Sequence, residues 1–316
     1  MTHSPGSTLA LGLALLCTAA AATAADDPLT RPIPGEWSDR WNRAQTPVKI
    51  HGDTYYVGVA GLSSVLIRSD DGLILIDGAL PQSVPLIEAN IRQLGFKVED
   101  IKYILNSHAH FDHAGGIPAL QRDSGATVVA SASGVQGLKL GHAVPDDPQY
   151  GYVRKGAKAP PVTGATREMR DGEVLRLGGV EITAHDTFGH TPGSTSWTWK
   201  SCENGRCVNL VYADSLNSIS APGFHYLADD THGDLSARFR ASIRKVAALP
   251  CDILITAHPD VSGLDRKLQQ AQAEPNPFID AQACRVYAER AQTMLDARIA
   301  EEKAAAAGAK PKPQAR

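Results

Sequence analysis

Nowhere in the 316 residues do five basic side chains run together, and the formal net charge is −3, so the chain lacks the electrostatic footprint that nucleic-acid binding requires. It has no C-x-x-C pair, which argues against a thiolate zinc cluster, and no internal repeat. The first 24 residues hold no Asp, Glu, Lys or Arg. Within them, residues 9–22 are almost wholly apolar, the length of a secretory h-region and too short to span a membrane. Ala22-Thr23-Ala24 follows as an A-x-A cleavage signal, although His3 and the terminal amine are the segment's only sources of positive charge. Cys17 follows Leu16, where a lipoprotein anchor wants a small residue. These features predict a cleaved signal peptide over residues 1–24 and a periplasmic protein with no stable membrane anchor.

What remains is ordinary for a globular protein: 43% hydrophobic and 21% charged, enough to bury a full core in one domain. Residues 25–47, rich in Pro and polar side chains and carrying Trp37 and Trp41, are expected to be an extended arm, residues 48–300 the single folded domain, and residues 301–316 a flexible tail. If Cys17 leaves with the signal, Cys202, Cys207, Cys251 and Cys284 remain, and four cysteines allow three pairings. Cys202 and Cys207 flank the hairpin signal Asn204-Gly205, so a local bridge is geometrically easy, which leaves Cys251 for Cys284. Four buried free thiols are the alternative, less suited to an oxidising compartment.

The chemistry concentrates in Asn106-Ser-His-Ala-His-Phe-Asp-His-Ala-Gly-Gly116. His108, His110, Asp112 and His113 offer four metal donors within six residues, directly after the apolar run 101–105, which reads as a buried strand. Donors at i and i+2 of an extended loop project to one side, whereas the adjacent Asp112 and His113 diverge, so one ion is not expected to take all four. A two-ion site follows. Zinc takes about four ligands from imidazole, thiolate and carboxylate, and a catalytic zinc keeps one place for water. Gly115-Gly116 allows sharp or left-handed backbone before a helix beginning near Ile117.

The H-x-H-x-D-H pattern after an apolar strand resembles the signature of the metallo-β-lactamase superfamily. The segment Gly189-His-Thr-Pro-Gly-Ser-Thr195 resembles the second histidine motif of that superfamily, in the form common in its subclass B3 β-lactamases, and Ala213-Asp-Ser-Leu216 points to the same subclass. The resemblance implies an αβ/βα sandwich of two mixed sheets with helices outside. It also implies two zinc ions, one on His108, His110 and His190, the other on Asp112, His113 and His258, the last a histidine capping the strand-like run 251–255. Asp77, at the tip of the run 73–76, would support the metal loop, although a plain turn-forming Asp remains open. Ser215 and Asn217 would hydrogen-bond a substrate carboxylate, with Asn217 departing from the Ser often seen there. His142 and His185 read as non-ligands, and the Pro-rich segment 143–166 as a substrate-flanking loop.

By this resemblance the expected activity is hydrolysis of the β-lactam amide of penicillins, cephalosporins and carbapenems by a monomeric enzyme. A hydroxide shared by the two ions would attack, oriented by Asp112. Two alternatives stay open. An exported lactonase, or another ester or thioester hydrolase of the superfamily, would use Asp214 to bridge the metals, and a non-catalytic zinc-binding module would need no water position.

Overall fold

The computed structural model describes Met1, Thr2 and residues 27–153, 156, 158–272 and 275–308. The signal segment expected over residues 1–24 therefore lies, from residue 3 on, outside the described residues, as do residues 309–316 of the expected tail. The N-terminal arm is not extended throughout: Glu36–Trp41 forms a short helix, α1.

A meander of β1 (Val48–His51), β2 (Thr54–Tyr56), β3 (Val65–Ser69) and β4 (Gly72–Ile76) is antiparallel. After α2 (Val84–Gln93) the chain enters β5 (Ile101–Leu105), parallel to β4. The short helices α3 (Phe111–Ala114) and α4 (Ile117–Ser124) lead to β6 (Thr127–Ala130). Two more, α5 (Ala132–Leu140) and α6 (Tyr150–Val153), lead to β7 (Thr166–Glu168), and both strands continue the parallel half. These strands make one seven-stranded mixed sheet in simple chain order.

The second sheet begins with β8 (Val174–Leu177), β9 (Val180–Asp186), β10 (Thr195–Glu203) and β11 (Arg206–Ala213), again antiparallel. Past α7 (Ser236–Ala248), β12 (Ile253–Thr256) pairs in parallel with β11, and α8 (Leu264–Gln269) and α9 (Ala283–Ala306) close the chain. The expected αβ/βα sandwich of two mixed sheets is what forms.

The period-2 geometry of strands explains the layering. In β4, Leu73 and Leu75 join a core roofed by α2 and α4 through Ile87, Ile91 and Leu120, whereas Ile74 and Ile76 join the core between the sheets. On the other side Leu210 and Tyr212 of β11 face that same central core, and Val211 and Ala213 face a third, built from Phe239, Ile243 and Val246 of α7 and Leu295 and Ile299 of α9. Strands buried on both faces read as unbroken apolar runs, which is why residues 73–76 and 253–255 are conspicuous in the sequence, while β5 is interrupted by the exposed Lys102.

α9 runs to Ala306, past the residue where the tail was expected to begin. Glu302 is the reason: buried at 7% exposure, its carboxylate accepts from the backbone N–H of Tyr226 and Leu227 and from Arg298 Nε. The last turns of the helix are thus tied to the loop after β11.

Both expected bridges form. Cys202 and Cys207 are direct cross-strand partners on either side of Asn204 and Gly205, whose φ values of 50° and 78° give the two-residue turn. Cys251–Cys284 ties the entry of β12 to the start of α9 across 33 residues. By loop-closure entropy the longer bridge contributes about 3.7 kcal/mol and the shorter about 2. Replacing Cys251 and Cys284 together by Ser is therefore expected to lower the urea midpoint more than replacing Cys202 and Cys207; the reverse order would refute this ranking.

Candidate metal centre

Every functional side chain identified from the sequence sits where a strand ends on one rim of the sandwich. β4 delivers Asp77, β5 delivers His108 and His110 and then α3 with Asp112 and His113, β11 delivers Asp214, and β12 delivers His258. His190 comes from the connection between β9 and β10. Two sheets thus contribute to a single site, and strand carboxyl ends are where α/β layers place such sites.

The six expected donors come together. The rings of His108, His110 and His190 stand 4.7, 4.8 and 4.9 Å apart, and one donor atom from each lies within 4.8 Å of the others. Asp112 Oδ2 is 3.4 Å from His113 Nε2 and 3.3 Å from His258 Nε2, and the two imidazole nitrogens are 3.1 Å apart. Bonds of about 2.0–2.1 Å in a tetrahedron put neighbouring ligand atoms about 3.3–3.4 Å apart, so this triangle fits a zinc ion. His108 also groups with Asp112 and His113, so the two clusters adjoin.

Orphaned atoms support the fit. His108 Nε2 is buried without a hydrogen-bond partner, while its Nδ1 is held by Asp214 Oδ1 at 2.6 Å. A buried nitrogen lone pair left bare is costly unless something binds it. Burial pushes His108 and His190 well below the ordinary imidazole value, keeping both neutral, the form that ligates. Burial alone would raise Asp112, but the neighbouring His113 outweighs it and holds the carboxylate ionised. For His113 burial is likewise overruled, here by Asp112, and its value rises to about 8.

Asp77 lies behind the metal loop. Its carboxylate accepts from Asn106 Nδ2 at 2.9 Å, Ser107 N at 2.7 Å, Ser107 Oγ at 2.5 Å and Tyr212 OH at 2.8 Å. It is fully buried, and burial lifts it to about 6. Asp77 and Ala79 have φ of 58° and 54°, a conformation costing roughly 1 kcal/mol or more per non-glycine residue and held only where the surroundings over-determine it.

Gly115 and Gly116 are not left-handed, as the sequence allowed; their φ values are −60° and −83°. Close approach explains them instead: a Cβ on Gly116 would lie 2.2 Å from Gly78 O, and one on Gly115 2.3 Å from Phe111 O. Gly116→Ala is therefore expected to destabilise the fold by about 1–3 kcal/mol or more and to reduce bound zinc. Unchanged melting and zinc content would refute it.

Other expectations divide. Asp214 does not stand between the two clusters; its Oδ1 sits against Nδ1 of His108, and burial raises its value. Ser215 is buried and does not line the cleft, whereas Asn217 does. Tyr287 OH accepts from Leu216 N and donates to Asp214 O, drawing the stretch 214–216 back onto α9. His142 and His185 are occupied elsewhere, by Ala143 O and Thr198 Oγ1.

Three further residues, not singled out individually by any motif, stand beside the donors. Asp147 meets His110 Nε2 at 3.1 and 3.2 Å, Gln149 Nε2 lies 3.3 Å from His190 Nε2, and the Trp41 ring lies 5.0 Å from that of His258. Trp41, Phe111, Gln149, Tyr152 and Asn217 wall a cleft of about 200 Å³ that opens onto His110, Asp112, His190 and His258. Segment 143–153 of the expected loop thus flanks the site.

Comparison with known proteins bears on this geometry. Residues 57–204 match the family model described as the metallo-beta-lactamase superfamily. The solved structure of Rm3 metallo-beta-lactamase superposes with a TM-score of 0.81 at 50% identity, over 85% of this chain and 100% of that one. The chain belongs to the metallo-β-lactamase superfamily. MEM-A1, a subclass B3 metallo-beta-lactamase isolated from a soil metagenome library, matches at 53% identity and a TM-score of 0.78, over 84% of this chain and 99% of that one. A hydroxyacylglutathione hydrolase of Jannaschia sp. (strain CCS1) is more distant, 26% identical over 225 residues, 71% of this chain and 72% of that protein. Rm3 and the subclass B3 enzyme MEM-A1 are thus nearer in sequence to this chain than that hydroxyacylglutathione hydrolase.

Proposed function

We propose that the protein is a zinc-dependent hydrolase of the subclass B3 type that opens the β-lactam ring of antibiotics, and that it binds two zinc ions. The observation that carries this reading is the pair of adjoining donor clusters, three histidines on one side and Asp112, His113 and His258 on the other, at the foot of an open cleft. The identity of 50% to Rm3 metallo-beta-lactamase and 53% to the subclass B3 MEM-A1, over nearly their full length, supports the substrate class. The position of Asp214, turned to His108, supports the lactam reading over the alternative in which that residue bridges the metals.

His108, His110 and His190 would hold one ion, Asp112, His113 and His258 the other. Zinc in such a site supplies a water-derived nucleophile near neutral pH and an electrophile for the amide carbonyl. The chain's own residues do the rest. Asp112, kept ionised beside His113 and His258, is placed to orient solvent at the site. The Trp41, Phe111 and Tyr152 rings exclude water from the cleft and flank the substrate's apolar part, and the Asn217 side chain is available to its carboxylate. No nucleophilic serine or cysteine is needed.

Export to the periplasm fits the sequence signal and the two disulfides, which persist in oxidising compartments. Among the described residues no helix is long and apolar enough to cross a membrane.

The test is turnover of a penicillin, a cephalosporin and a carbapenem by purified protein, with and without a zinc chelator, beside a lactone. Lactam hydrolysis lost on chelation and restored by zinc is the expected result. A lactone preferred over every lactam, or zinc-loaded protein inert to all of them, would sink the proposal.

A further inference from the structure

The two clusters differ in what stands behind them. In the three-histidine cluster every ring has its second nitrogen engaged by an oxygen from outside: His108 Nδ1 by Asp214 at 2.6 Å, His110 Nε2 by Asp147 at 3.1 Å, His190 Nδ1 by Asn217 O at 3.4 Å. In the other cluster His113 Nδ1 is buried without a partner, and among the described residues the hydrogen bonds and ion pairs of the His258 ring run only to His113 and Asp112. A ligating imidazole must present one bare nitrogen, and an acceptor on the other nitrogen fixes that tautomer and ring orientation before metal arrives. Rings that bond only to one another must be sorted at the moment of binding.

Of the three braces, Asp147 is set apart. It lies 37 positions from His110, on the segment that also supplies Gln149 and Tyr152 to the cleft wall, and it is 4% exposed. Its placement is itself fixed: its N–H donates to Val144 O at 3.0 Å, and its Oδ1 accepts from Gln149 N at 2.7 Å. We propose that Asp147 is a positioning residue that makes the three-histidine position the tighter of the two, tying its metal affinity to the loop that shapes the cleft. The inference rests on the two-zinc reading above. Charge does not reverse the order. Asp112 is the one carboxylate ligand of the weaker position, but Asp147 and Asp214 set two carboxylates one imidazole away from the tighter one. His258 also keeps 19% of its side chain exposed, against 0% for His108.

The test is zinc retention. Zinc-loaded protein is equilibrated with graded concentrations of a chelator below its melting temperature, and bound ions are counted by native mass spectrometry. Wild type is expected to release its ions in two separated steps. Asp147→Ala should move the later step about 10–100-fold toward weaker chelation and leave the earlier step in place. Asp147→Asn, which keeps an acceptor oxygen without the charge, should fall between them. Tyr152→Ala, on the same loop, should change KM while its zinc curve follows wild type. Asp147→Ala curves that superpose on wild type overturn the proposal. So do Asp147 variants that lose both ions together in step with a lowered melting temperature, which marks a merely structural role. A wild type holding fewer than two ions overturns the two-zinc reading and this inference with it, a failure distinct from two ions held equally in wild type and variant.

Discussion

Asp112→Asn is expected to lower kcat/KM for any turned-over β-lactam by about 10³-fold, on the order of 4 kcal/mol. The substitution keeps shape and removes charge. Asp112 Oδ2 stands within 3.4 Å of both His113 and His258, and a neutral amide there offers a weaker ligand oxygen or turns its N–H₂ donors toward the ion. Zinc content should fall from two toward one per chain. The loss should appear in kcat more than in KM, because the carboxylate acts on solvent and metal rather than on the substrate's periphery. Kinetics paired with metal analysis decide it: an Asn variant with near wild-type kcat would remove Asp112 from the chemistry.

Asp77→Ala is expected to have the largest effect on the fold itself. Four donors, from Asn106, Ser107 twice and Tyr212, converge on that carboxylate inside the protein. Each buried donor left unpaired costs about 1–3 kcal/mol, not fully additively, so a loss of about 3–5 kcal/mol is reasonable. The metal loop begins at Ser107, so zinc affinity should fall as well, about 10–100-fold. Asp77→Asn, which can still accept, should lose less of both. Urea denaturation with chelator competition reads the two effects separately, and a stable Ala variant with intact zinc affinity would show that the donors are satisfied in another way.

The contrast between Asp77 and Asp147 shows what was legible. Asp77 ends an apolar strand beside a glycine, and its role follows from being one strand over from the histidine run. His108, His110, Asp112 and His113 crowd into one compact motif, where local chemistry exposes them, whereas His190 and His258 were legible as ligands through the family resemblance. Asp147 lies in a proline-interrupted segment without period, and its contact with His110 exists only because the chain folds back over α5. Ser215 lies off the cleft for a related reason. Its neighbours are gripped by Tyr287, 73 positions from Asp214, and no local pattern announces that bond. Nor did alanine and lysine content announce Glu302, whose partners on the loop after β11 carry the final helix past residue 301. The strands and the first four donors follow from local pattern, the layers and the last two donors from the family resemblance; the braces depend on distant packing.

Because the ligands are drawn from both sheets, an ion bound at the rim fastens one half of the chain to the other. Metal uptake and global unfolding are then linked equilibria, and stability rises with free zinc as RT ln(1 + [Zn]/Kd) for each position, about 2.7 kcal/mol when zinc stands at 100 times Kd. An organism that starves this protein of zinc would thus do more than silence it: the apo chain would also be the one more readily opened and degraded.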